Sequence, residues 1–334
     1  MATKFTEVRW GIIGAGDVCE VKSGPAMYKI RNSKLVAVMR RDGNKAADYA
    51  RRHGVEKWYT DADELINDPD VNAIYIATPP GSHKDYTIRA ARAGKPVYVE
   101  KPMARTHEEC LEMVNACERA GVPLFAAYYR RSLPNFLKIQ SMLKEGVIGD
   151  VRYVNILLNK TLQPDIVWAS GNTDNWRVVP EISGGGYFYD LAAHQLDMMD
   201  FLFGPIQNAQ GIARNQASQY NAEDIVMGTF SFENGIVGQG TWCFSTSKVS
   251  DREVTTIVGS KGQILFPFFG DHSVTVHTDG REPEVMKFEI PSNIQQPLIQ
   301  TIVDELRGVG KCPSTGVSGA RTNKVMEILS QRVH

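Results

Sequence analysis

The sequence predicts an α/β protein with two domains: an N-terminal domain built on a parallel sheet, then an α+β domain with a large, mainly antiparallel open sheet. The length of 334 residues suggests two domains, because single hydrophobic cores stop growing near ~250–300 residues. The first third alternates short apolar runs with amphipathic stretches, whereas the rest consists mostly of alternating polar and apolar stretches. We place the boundary after residue 125, which gives domains 1–125 and 126–334.

The apolar runs of the first domain are typical of strands in a doubly wound fold. Amphipathic stretches at 43–53, 82–93 and 106–120 separate several of them and predict helices. Strands that alternate with helices indicate βαβ units around a parallel sheet covered on both faces. The five predicted strands are 8–13, 35–39, 73–78, 96–99 and 123–127.

The second domain shows the alternation that is typical of hairpins. Turn signals such as Glu233-Asn234-Gly235 separate the stretches, which indicates an antiparallel sheet. Helices are predicted near 188–203, 295–307 and 319–332, and we allow for the last of these packing back on the first domain. The predicted strands are 151–159, 224–232, 235–244, 253–259, 262–266, 273–278 and 284–290.

The composition excludes several classes of protein. With 37 Lys and Arg against 38 Asp and Glu, the net charge is −1, so we expect no nucleic-acid partner. The start of the sequence lacks the apolar segment of a signal peptide, and no apolar run approaches the ~20 residues that span a bilayer. The five cysteines are dispersed, which favours a reduced, cytoplasmic compartment over a disulfide framework or a zinc site.

A glycine-rich turn follows the first predicted strand. Gly14-Ala15-Gly16 opens the first helix, where glycines permit a tight turn and let the backbone approach a pyrophosphate. Cys19 stands where a third glycine is usual, and its small thiol can replace the glycine in close packing. A strand–helix turn with no ligand is the alternative interpretation. The residues of this turn that we expect to contact a dinucleotide are Gly14, Gly16, Asp17 and Val18.

The second predicted strand ends in two arginines. Arginine accommodates the 2′-phosphate of NADP(H), whereas a carboxylate binds the free 2′-hydroxyl of NAD(H). Arg40 and Arg41 therefore favour NADP(H), and Asp42 keeps NAD(H) possible. The alternative is that both arginines are solvated loop charges.

Glu100-Lys101-Pro102 follows the predicted strand 96–99. Ligands of open parallel sheets bind at the carboxyl ends of the strands, so Lys101 could reach both a cofactor and a substrate. Near a cationic nicotinamide the pKa of Lys101 could be lowered, which would suit proton transfer. Further residues that we expect near the cofactor are Thr78, Pro79, His83 and Glu100.

The stretch 184–197 reads GGGYFYDLAAHQLD. Asp190 and His194 are four residues apart, so on a helix they share one face, and a carboxylate beside an imidazole can orient it. One alternative is a helix cap at Asp190 with a satisfied interior histidine at His194. Another is a zinc site, but Asp197 is the nearest further ligand and it lies one turn away. We therefore expect no metal.

Together with TPPGSH at 78–83 and GSKGQI at 259–264, these motifs resemble the Gfo/Idh/MocA family, which includes glucose–fructose oxidoreductase and inositol dehydrogenases. The resemblance covers nearly the whole chain. It implies a Rossmann domain followed by an α/β domain whose open sheet often serves oligomerisation, hence a homodimer or homotetramer. Ala192 stands where the family usually has glycine.

The resemblance also implies a catalytic group of Lys101, Asp190 and His194. His194 would take the hydroxyl proton, Asp190 would support it, and Lys101 would bind the reacting oxygen; whether Lys101 or His194 moves the proton stays open. The glycines 184–186 would let the backbone approach a sugar ring or the nicotinamide. The substrate residues are expected to be Tyr129, Arg131, Trp176 and Arg177, with Trp168 in a long segment, 159–183, that would set substrate choice.

These observations predict an NAD(P)-dependent oxidoreductase that acts reversibly on a sugar or polyol carbinol or on a keto-sugar. One alternative is a glycosidase that acts by transient oxidation at the sugar C3 with tightly retained NAD. Another is a non-catalytic sugar or nucleotide sensor, which the presence of Lys101, Asp190 and His194 disfavours.

Overall fold

The computed structural model describes residues 5–161 and 175–332. The strands are β1 (Val8–Ile13), β2 (Ser33–Met39), β3 (Lys57–Tyr59), β4 (Ala73–Ile76), β5 (Val97–Val99), β6 (Leu124–Ala126), β7 (Val151–Thr161), β8 (Ile206–Arg214), β9 (Ile225–Phe232), β10 (Val237–Thr246), β11 (Arg252–Gly259), β12 (Gly262–Phe266), β13 (Ser273–Thr278) and β14 (Glu284–Lys287). The α-helices are α1 (Asp17–Val21), α2 (Gly24–Lys29), α3 (Gly43–His53), α4 (Ala62–Asn67), α5 (His83–Arg92), α6 (His107–Ala120), α7 (Pro134–Lys144), α8 (Pro180–Ser183), α9 (Ala193–Phe203), α10 (Gln296–Leu306) and α11 (Gly316–Leu329).

The chain forms two compact units. Among the described residues, the first unit contains 5–129 and 291–320, and the second contains 130–161, 175–290 and 321–332. The helix α10 and the start of α11 thus belong to the first unit, although they lie far beyond residue 125 in the sequence. No helix among the described residues is both long enough and apolar enough to cross a membrane.

The first unit is built on a six-stranded parallel sheet with the order β3-β2-β1-β4-β5-β6. β4 is buried along its whole length, as expected for a strand covered on both faces. The predicted doubly wound Rossmann architecture is confirmed. The short strand β3 was missed by the sequence analysis because KWY has only three residues and none of them is fully buried.

The end of the segment 291–320 lies against β6, at the edge of the parallel sheet. Phe125 forms an antiparallel bridge with Thr315, and the Ser314 hydroxyl donates to the Ala126 carbonyl at 2.7 Å. A Cβ at Gly319 would lie 3.1 Å from the Ala126 Cβ, so α11 approaches β6 closely at a glycine.

The second unit is built on an eight-stranded sheet with the order β14-β13-β12-β11-β7-β10-β9-β8. Only β7 and β10 pair in parallel; all other neighbours are antiparallel. The predicted large, mainly antiparallel sheet is confirmed. Two elements were not predicted from the sequence. The residues of β8, IQNAQGIAR, alternate only weakly, and α7 falls in the region interpreted as the change of domain.

One face of this sheet is buried under helices. Trp242 of β10 is fully buried against Phe188, with ring centroids 5.2 Å apart. Phe136 of α7 contacts Phe266 of β12 at 5.9 Å. A Cβ at Gly211 would lie 2.2 Å from the Leu329 carbonyl oxygen, so the end of α11 packs directly on β8.

On the opposite face, one row of uncharged side chains runs across five neighbouring strands. It consists of Ile212, Met227, Thr241, Leu157 and Val254, which are paired in register. Ile212 and Met227 are 60% and 49% exposed. Four of the five are apolar, and exposed apolar side chains that lie side by side on a sheet face are typical of a protein interface.

Candidate active site

The glycine turn follows β1 and has the backbone geometry that its sequence predicts. Gly14 has φ +84°, in the left-handed region that favours glycine. A Cβ at this position would lie 2.5 Å from the Thr78 Cγ2, so Gly14 is also needed because Thr78 packs against it. Among the described residues, only the Gly14 carbonyl oxygen comes within 4 Å of a Cβ built on Gly16, at 3.8 Å, so the space around Gly16 is open on that side. Cys19 occupies the third position and is fully buried.

The end of β2 distinguishes the two arginines from the neighbouring aspartate. The Asp42 carboxylate caps α3, because it accepts from the backbone N–H groups of Asn44 at 3.0 Å and Lys45 at 3.2 Å. Arg41 is exposed and Arg40 half-buried. Within the described residues, neither arginine forms a salt bridge, so both guanidinium groups are available to an anion.

Thr78, Pro79 and His83 form the segment that follows β4. Thr78 and Pro79 are half-buried. His83 was predicted to lie near the cofactor, but its ring is fully buried. Its Nε2 lies 2.6 Å from the Thr78 carbonyl oxygen and its Nδ1 lies 3.1 Å from the Met103 carbonyl oxygen. Burial lowers the pKa of His83, while the bonds to these two carbonyls act to raise it.

Glu100 belongs to a buried hydrogen-bond network. Its Oε1 accepts from the Tyr75 hydroxyl at 2.7 Å and from Gln295 Nε2 at 2.6 Å. The backbone N–H of Lys101 donates to the other carboxylate oxygen at 3.1 Å. The Tyr98 hydroxyl donates to Gln295 Oε1 at 2.7 Å. Both carboxylate oxygens of Glu100 thus accept hydrogen bonds that hold the end of β5. The sequence predicted instead that Glu100 would lie near the cofactor.

Lys101 is half-buried at the carboxyl end of β5 and precedes a cis peptide bond to Pro102. In the sheet order, β4 is the only strand between β5 and β1. Since the carboxyl ends of parallel strands meet at one edge, Lys101 and the glycine turn lie on the same edge of the sheet.

The glycines 184–186 have a structural explanation that differs from the predicted one. Gly184 ends α8 with φ +86°. A Cβ at Gly185 would lie 2.1 Å from the Tyr189 ring, and one at Gly186 would lie 2.8 Å from the Ala222 Cβ. The space beside Gly185 and Gly186 is therefore filled by the protein itself, so the reason given from the sequence, approach to a ligand, is wrong for these two glycines.

A π-helix at Phe188–Ala192 leads directly into α9 and carries Asp190. Arg177 Nε donates to Asp190 Oδ2 at 3.2 Å, and the guanidinium stacks 4.2 Å from the Trp176 ring centroid. Trp176 thus stacks on Arg177, and Arg177 binds Asp190. These two residues, predicted to contact the substrate, support the predicted catalytic carboxylate.

His194 follows in the first turn of α9 and is 5% exposed. Its ring packs edge to face against the Phe269 ring, with the two ring centroids 6.2 Å apart. Phe269 also lies under the Arg130 guanidinium at 4.8 Å, and Arg130 donates to the Phe268 carbonyl at 3.0 Å. Gln195, the residue after His194, donates to the carboxylate of Glu253.

Glu253 holds the loop that carries Phe268 and Phe269. Its carboxylate accepts from both backbone N–H groups, at 2.8 and 3.1 Å, and from Gln195 Nε2 at 3.1 Å. Burial raises the pKa of Glu253. The sequence analysis missed Glu253 and Arg130, since neither lies in a motif; Arg130 could have been noticed only as the neighbour of Arg131.

Arg131 was predicted to border the substrate, and in the structure it belongs to a buried cluster of ion pairs. Its guanidinium is buried and donates to Asp197 Oδ1 at 2.7 Å, to Asp197 Oδ2 at 2.9 Å and to Asp200 Oδ1 at 3.1 Å. Arg321 of α11 also binds Asp200, at 2.7 and 2.8 Å. Burial raises the pKa of Asp197 to about 6, against the lowering effect of Arg131. Arg131 therefore joins α9 to its surroundings inside the unit.

Three further predicted residues, Asp17, Val18 and Tyr129, lie in the first unit. Asp17 and Val18 are half-buried in α1. Tyr129 is 5% exposed, at the end of the first unit. Trp168 and most of the predicted substrate-choice segment lie outside the described residues. Lys101 belongs to the first unit, whereas Asp190 and His194 belong to the second.

Comparison with known proteins identifies the class. Residues 8–128 match the family model described as an oxidoreductase family with an NAD-binding Rossmann fold, and residues 136–265 match the GFO/IDH/MocA C-terminal domain. The chain is 41% identical over 325 residues to Oxidoreductase P35 of Formosa agariphila, which covers 97% of this chain and 98% of that protein. The first unit is thus an NAD-binding Rossmann domain and the chain is an oxidoreductase.

A further relative and a solved structure are similar to this chain. The chain is 28% identical over 320 residues to 1,5-anhydro-D-fructose reductase of Ensifer adhaerens, covering 93% and 92% of the two chains. It shares its fold with levoglucosan dehydrogenase in complex with NADH and levoglucosan, at a TM-score of 0.84 and 22% identity, over 97% and 96% of the chains. The chain belongs to the Gfo/Idh/MocA family, so the resemblance noted in the sequence is confirmed.

Proposed function

We propose that this oxidoreductase transfers a hydride reversibly between a nicotinamide cofactor and a sugar or polyol carbinol, or the corresponding keto-sugar. The observation that carries the proposal is the placement of Lys101 on the same sheet edge as the glycine turn, since this edge is where open parallel sheets bind ligands. The names of two similar proteins, a 1,5-anhydro-D-fructose reductase and a levoglucosan dehydrogenase, support a sugar as the substrate.

The chain offers residues that fit a dinucleotide. The left-handed backbone at Gly14 and the open space at Gly16 leave room for a pyrophosphate. When bound, the nicotinamide would supply C4 as the acceptor or donor of the hydride. The polar groups of the chain would then handle the proton of the reacting hydroxyl and the charge on its oxygen.

In the oxidative direction the carbinol C–H bond breaks and its electron pair leaves as hydride, while the hydroxyl loses its proton. His194 takes this proton, Asp190 stabilises the resulting charge on the imidazole, and Lys101 donates a hydrogen bond to the reacting oxygen. Arg177 holds Asp190 in place through the bond described above.

Lys101→Ala tests the assignment. We expect turnover to fall by roughly 10²–10³-fold, the usual cost of removing a donor that stabilises the reacting oxygen, with cofactor affinity nearly unchanged. Lys34→Ala is the matched control, because Lys34 is an exposed lysine of the same unit, paired with Glu7 at 3.4 Å. Turnover close to that of the wild type in Lys101→Ala would exclude a catalytic role.

We further propose a preference for NADP(H). Arg40 and Arg41 have no acidic partner among the described residues, and Asp42, the candidate for binding a ribose hydroxyl, is committed to capping α3. A lost charge-assisted bond is worth about 1.5–3 kcal/mol, or roughly 10- to 150-fold in affinity. The double variant Arg40→Ala/Arg41→Ala should therefore weaken NADPH by this factor and NADH much less.

The control for this experiment is Arg31→Ala, which removes an exposed arginine before β2 rather than after it. Equal losses for NADPH and NADH in the double variant would show that the arginines do not recognise the 2′-phosphate.

We also propose that a second copy of the chain covers this face of the large sheet, which gives a homodimer or homotetramer. The uncharged row from Ile212 to Val254 supports this, because exposed apolar side chains that lie side by side are costly in a monomer and are complementary to a copy of themselves.

A further inference from the structure

Gln295 lies directly before α10, in the part of the first unit that comes late in the sequence. It is 1% exposed, so its amide group needs hydrogen-bond partners inside the protein. The amide Nε2 donates to Glu100 Oε1 at 2.6 Å, and the amide Oε1 accepts from the Tyr98 hydroxyl at 2.7 Å. Both ends of the amide are therefore bound at β5, by a residue of the strand and by the residue that follows it.

These partners define the direction of each hydrogen bond. The Glu100 carboxylate accepts, so the amide nitrogen of Gln295 faces it and the amide oxygen faces Tyr98. The Tyr75 hydroxyl donates to the same Glu100 oxygen at 2.7 Å. Burial raises the pKa of Tyr75 and of Tyr98 well above that of an ordinary tyrosine, so both hydroxyls keep the proton that they donate. The network therefore has a single arrangement of donors and acceptors.

A pair of tyrosine rings holds the two hydroxyls. Tyr75 of β4 and Tyr98 of β5 are paired in register, and their rings stack with the centroids 4.8 Å apart. Both side chains are fully buried. The hydroxyls that bind Glu100 and Gln295 thus come from a rigid part of the sheet, because stacked rings in a close-packed core have little rotational freedom.

The second oxygen of Glu100 connects this network to Lys101. The Lys101 backbone N–H donates to Glu100 Oε2 at 3.1 Å. A carboxylate turns as one rigid group, so a rotation that follows loss of the Gln295 donor would also move Oε2 away from the Lys101 N–H. The orientation of Glu100 thus decides how the backbone of Lys101 is held at the carboxyl end of β5.

The end of α1 fixes the place of Gln295 itself. The Gln295 backbone N–H donates to the Lys22 carbonyl at 3.2 Å. The Asn293 side chain donates to the Val21 carbonyl at 2.7 Å. Since α1 is the short helix that follows the glycine turn, Gln295 is anchored to this helix through its backbone and to Glu100 through its side chain.

We propose that Gln295 is a positioning residue for Lys101: its amide holds the Glu100 carboxylate in the orientation in which the second carboxylate oxygen binds the Lys101 backbone. All of these hydrogen bonds lie within the first unit. The effect on turnover rests on the function proposed above, in which Lys101 binds the reacting oxygen.

Two substitutions separate the hydrogen bond from the volume of the side chain. Gln295→Met keeps a similar volume and removes the donor to Glu100. Gln295→Glu keeps the shape and forms the bond to Glu100 only while one of the two carboxyl groups carries a proton. Two carboxyl groups this close repel when both are ionised, so the pair keeps a shared proton at low pH and loses it as the pH rises. The bond in Gln295→Glu is therefore switched by pH within one protein.

Gln300→Met is the matched control. Gln300 is a glutamine of α10 in the same unit, and both ends of its amide are bonded. Its Nε2 donates to Asp304 at 3.0 Å, and its Oε1 accepts from the Arg31 backbone N–H at 3.2 Å. Both partners lie outside the hydrogen-bond network of Glu100, so a general effect of losing an amide would appear in Gln300→Met as well. Melting temperatures of all three variants establish that each is folded at the assay temperature.

The kinetic readout is the kcat for reduction of D-fructose, a keto-sugar used as the probe, at saturating NADPH. Gln295→Met should lower kcat by roughly tenfold, below the ~10²-fold that a 1 Å misplacement of a reacting group can cost, with the Kd of NADPH unchanged. The ratio of kcat in Gln295→Glu to that of the wild type should approach unity at about pH 5.5 and fall to that of Gln295→Met at about pH 9. Gln300→Met should keep the wild-type kcat at both pH values.

A second readout is independent of turnover. Isotope-labelled dimethylation of the lysines gives a resonance for Lys101 that is identified by its loss in Lys101→Arg. This resonance should shift in Gln295→Met and stay in place in Gln300→Met. An unshifted Lys101 resonance in Gln295→Met, or a kcat ratio of Gln295→Glu that does not change with pH, would overturn the proposal. Absence of D-fructose reduction by the wild type would instead count against the proposed action on keto-sugars.

Discussion

Removal of the buried Arg131 guanidinium tests whether this residue is structural or binds the substrate. Arg131→Met leaves the Asp197 carboxylate, which is 1% exposed, without its bidentate partner. Asp200 keeps Arg321, so the loss falls mainly on Asp197. Breaking a buried ion pair by removing one partner costs about 3–5 kcal/mol, which corresponds to a fall in melting temperature of roughly 6–20 °C for a domain of this size.

The pH dependence of the stability gives a second test of the structural role of Arg131. Burial holds the folded-state pKa of Asp197 at about 6 even beside Arg131, above the ordinary value of an aspartate. Without Arg131 the pKa of Asp197 rises further above its unfolded-state value. As the pH rises, the variant therefore continues to lose stability up to a higher pH than the wild type does. The difference between wild type and variant should therefore grow as the pH increases above about 6, where wild-type Asp197 is ionised.

The assay is thermal unfolding followed by tryptophan fluorescence, since Trp242 is fully buried in the same unit. Arg214→Met serves as the control, because Arg214 is exposed and donates only to the neighbouring Ala213 carbonyl. An unchanged melting temperature with a raised KM for the sugar would refute the structural role and restore Arg131 to the substrate.

Three more predictions concern the second unit. Arg177→Gln should lower kcat by about tenfold, equivalent to roughly 1.4 kcal/mol, because Asp190 loses the bond from Arg177. Arg177→Lys should recover part of the lost kcat. Wild-type kinetics in Arg177→Gln would count against the role of Arg177 in holding Asp190. Gly185→Ala should lower the melting temperature by roughly 2–12 °C, because the added methyl meets the Tyr189 ring, and an unchanged melting temperature would show that the space is free. Leu157→Glu, in the middle of the uncharged row, should convert the oligomer to a monomer in sedimentation velocity; a wild-type protein that is already monomeric would exclude the interface.

The architecture could be predicted from the sequence because its signals are local. The strand β1 and the helix α3 have the bounds that the pattern indicates. Gly14 lies where the chain needs a left-handed turn, and hairpin turns such as Glu233-Asn234-Gly235 separate the strands of the large sheet. Elements without a strong pattern, such as β3 and β8, were missed.

The partners of the site residues could not be predicted, because they depend on contacts between residues distant in sequence. Asp42 appears in the sequence as a candidate for the ribose, and only the structure shows that it caps α3. Arg131 appears in the sequence as a candidate for the substrate, but its partner Asp197 lies 66 residues away. The pattern of glycines 184–186 was recognised, yet the reason for Gly185 is Tyr189, whose ring orientation no sequence pattern reveals.

The central claim is that the first unit binds a nicotinamide dinucleotide, through the glycine turn and the arginines after β2, for reversible hydride transfer. The most direct test is a fluorescence titration of the purified protein with NADPH and, separately, with NADH. We predict saturable binding of both, with NADPH the tighter ligand. Absence of a response to either would contradict this account, and nucleotide already retained in the preparation would favour a glycosidase that keeps its NAD.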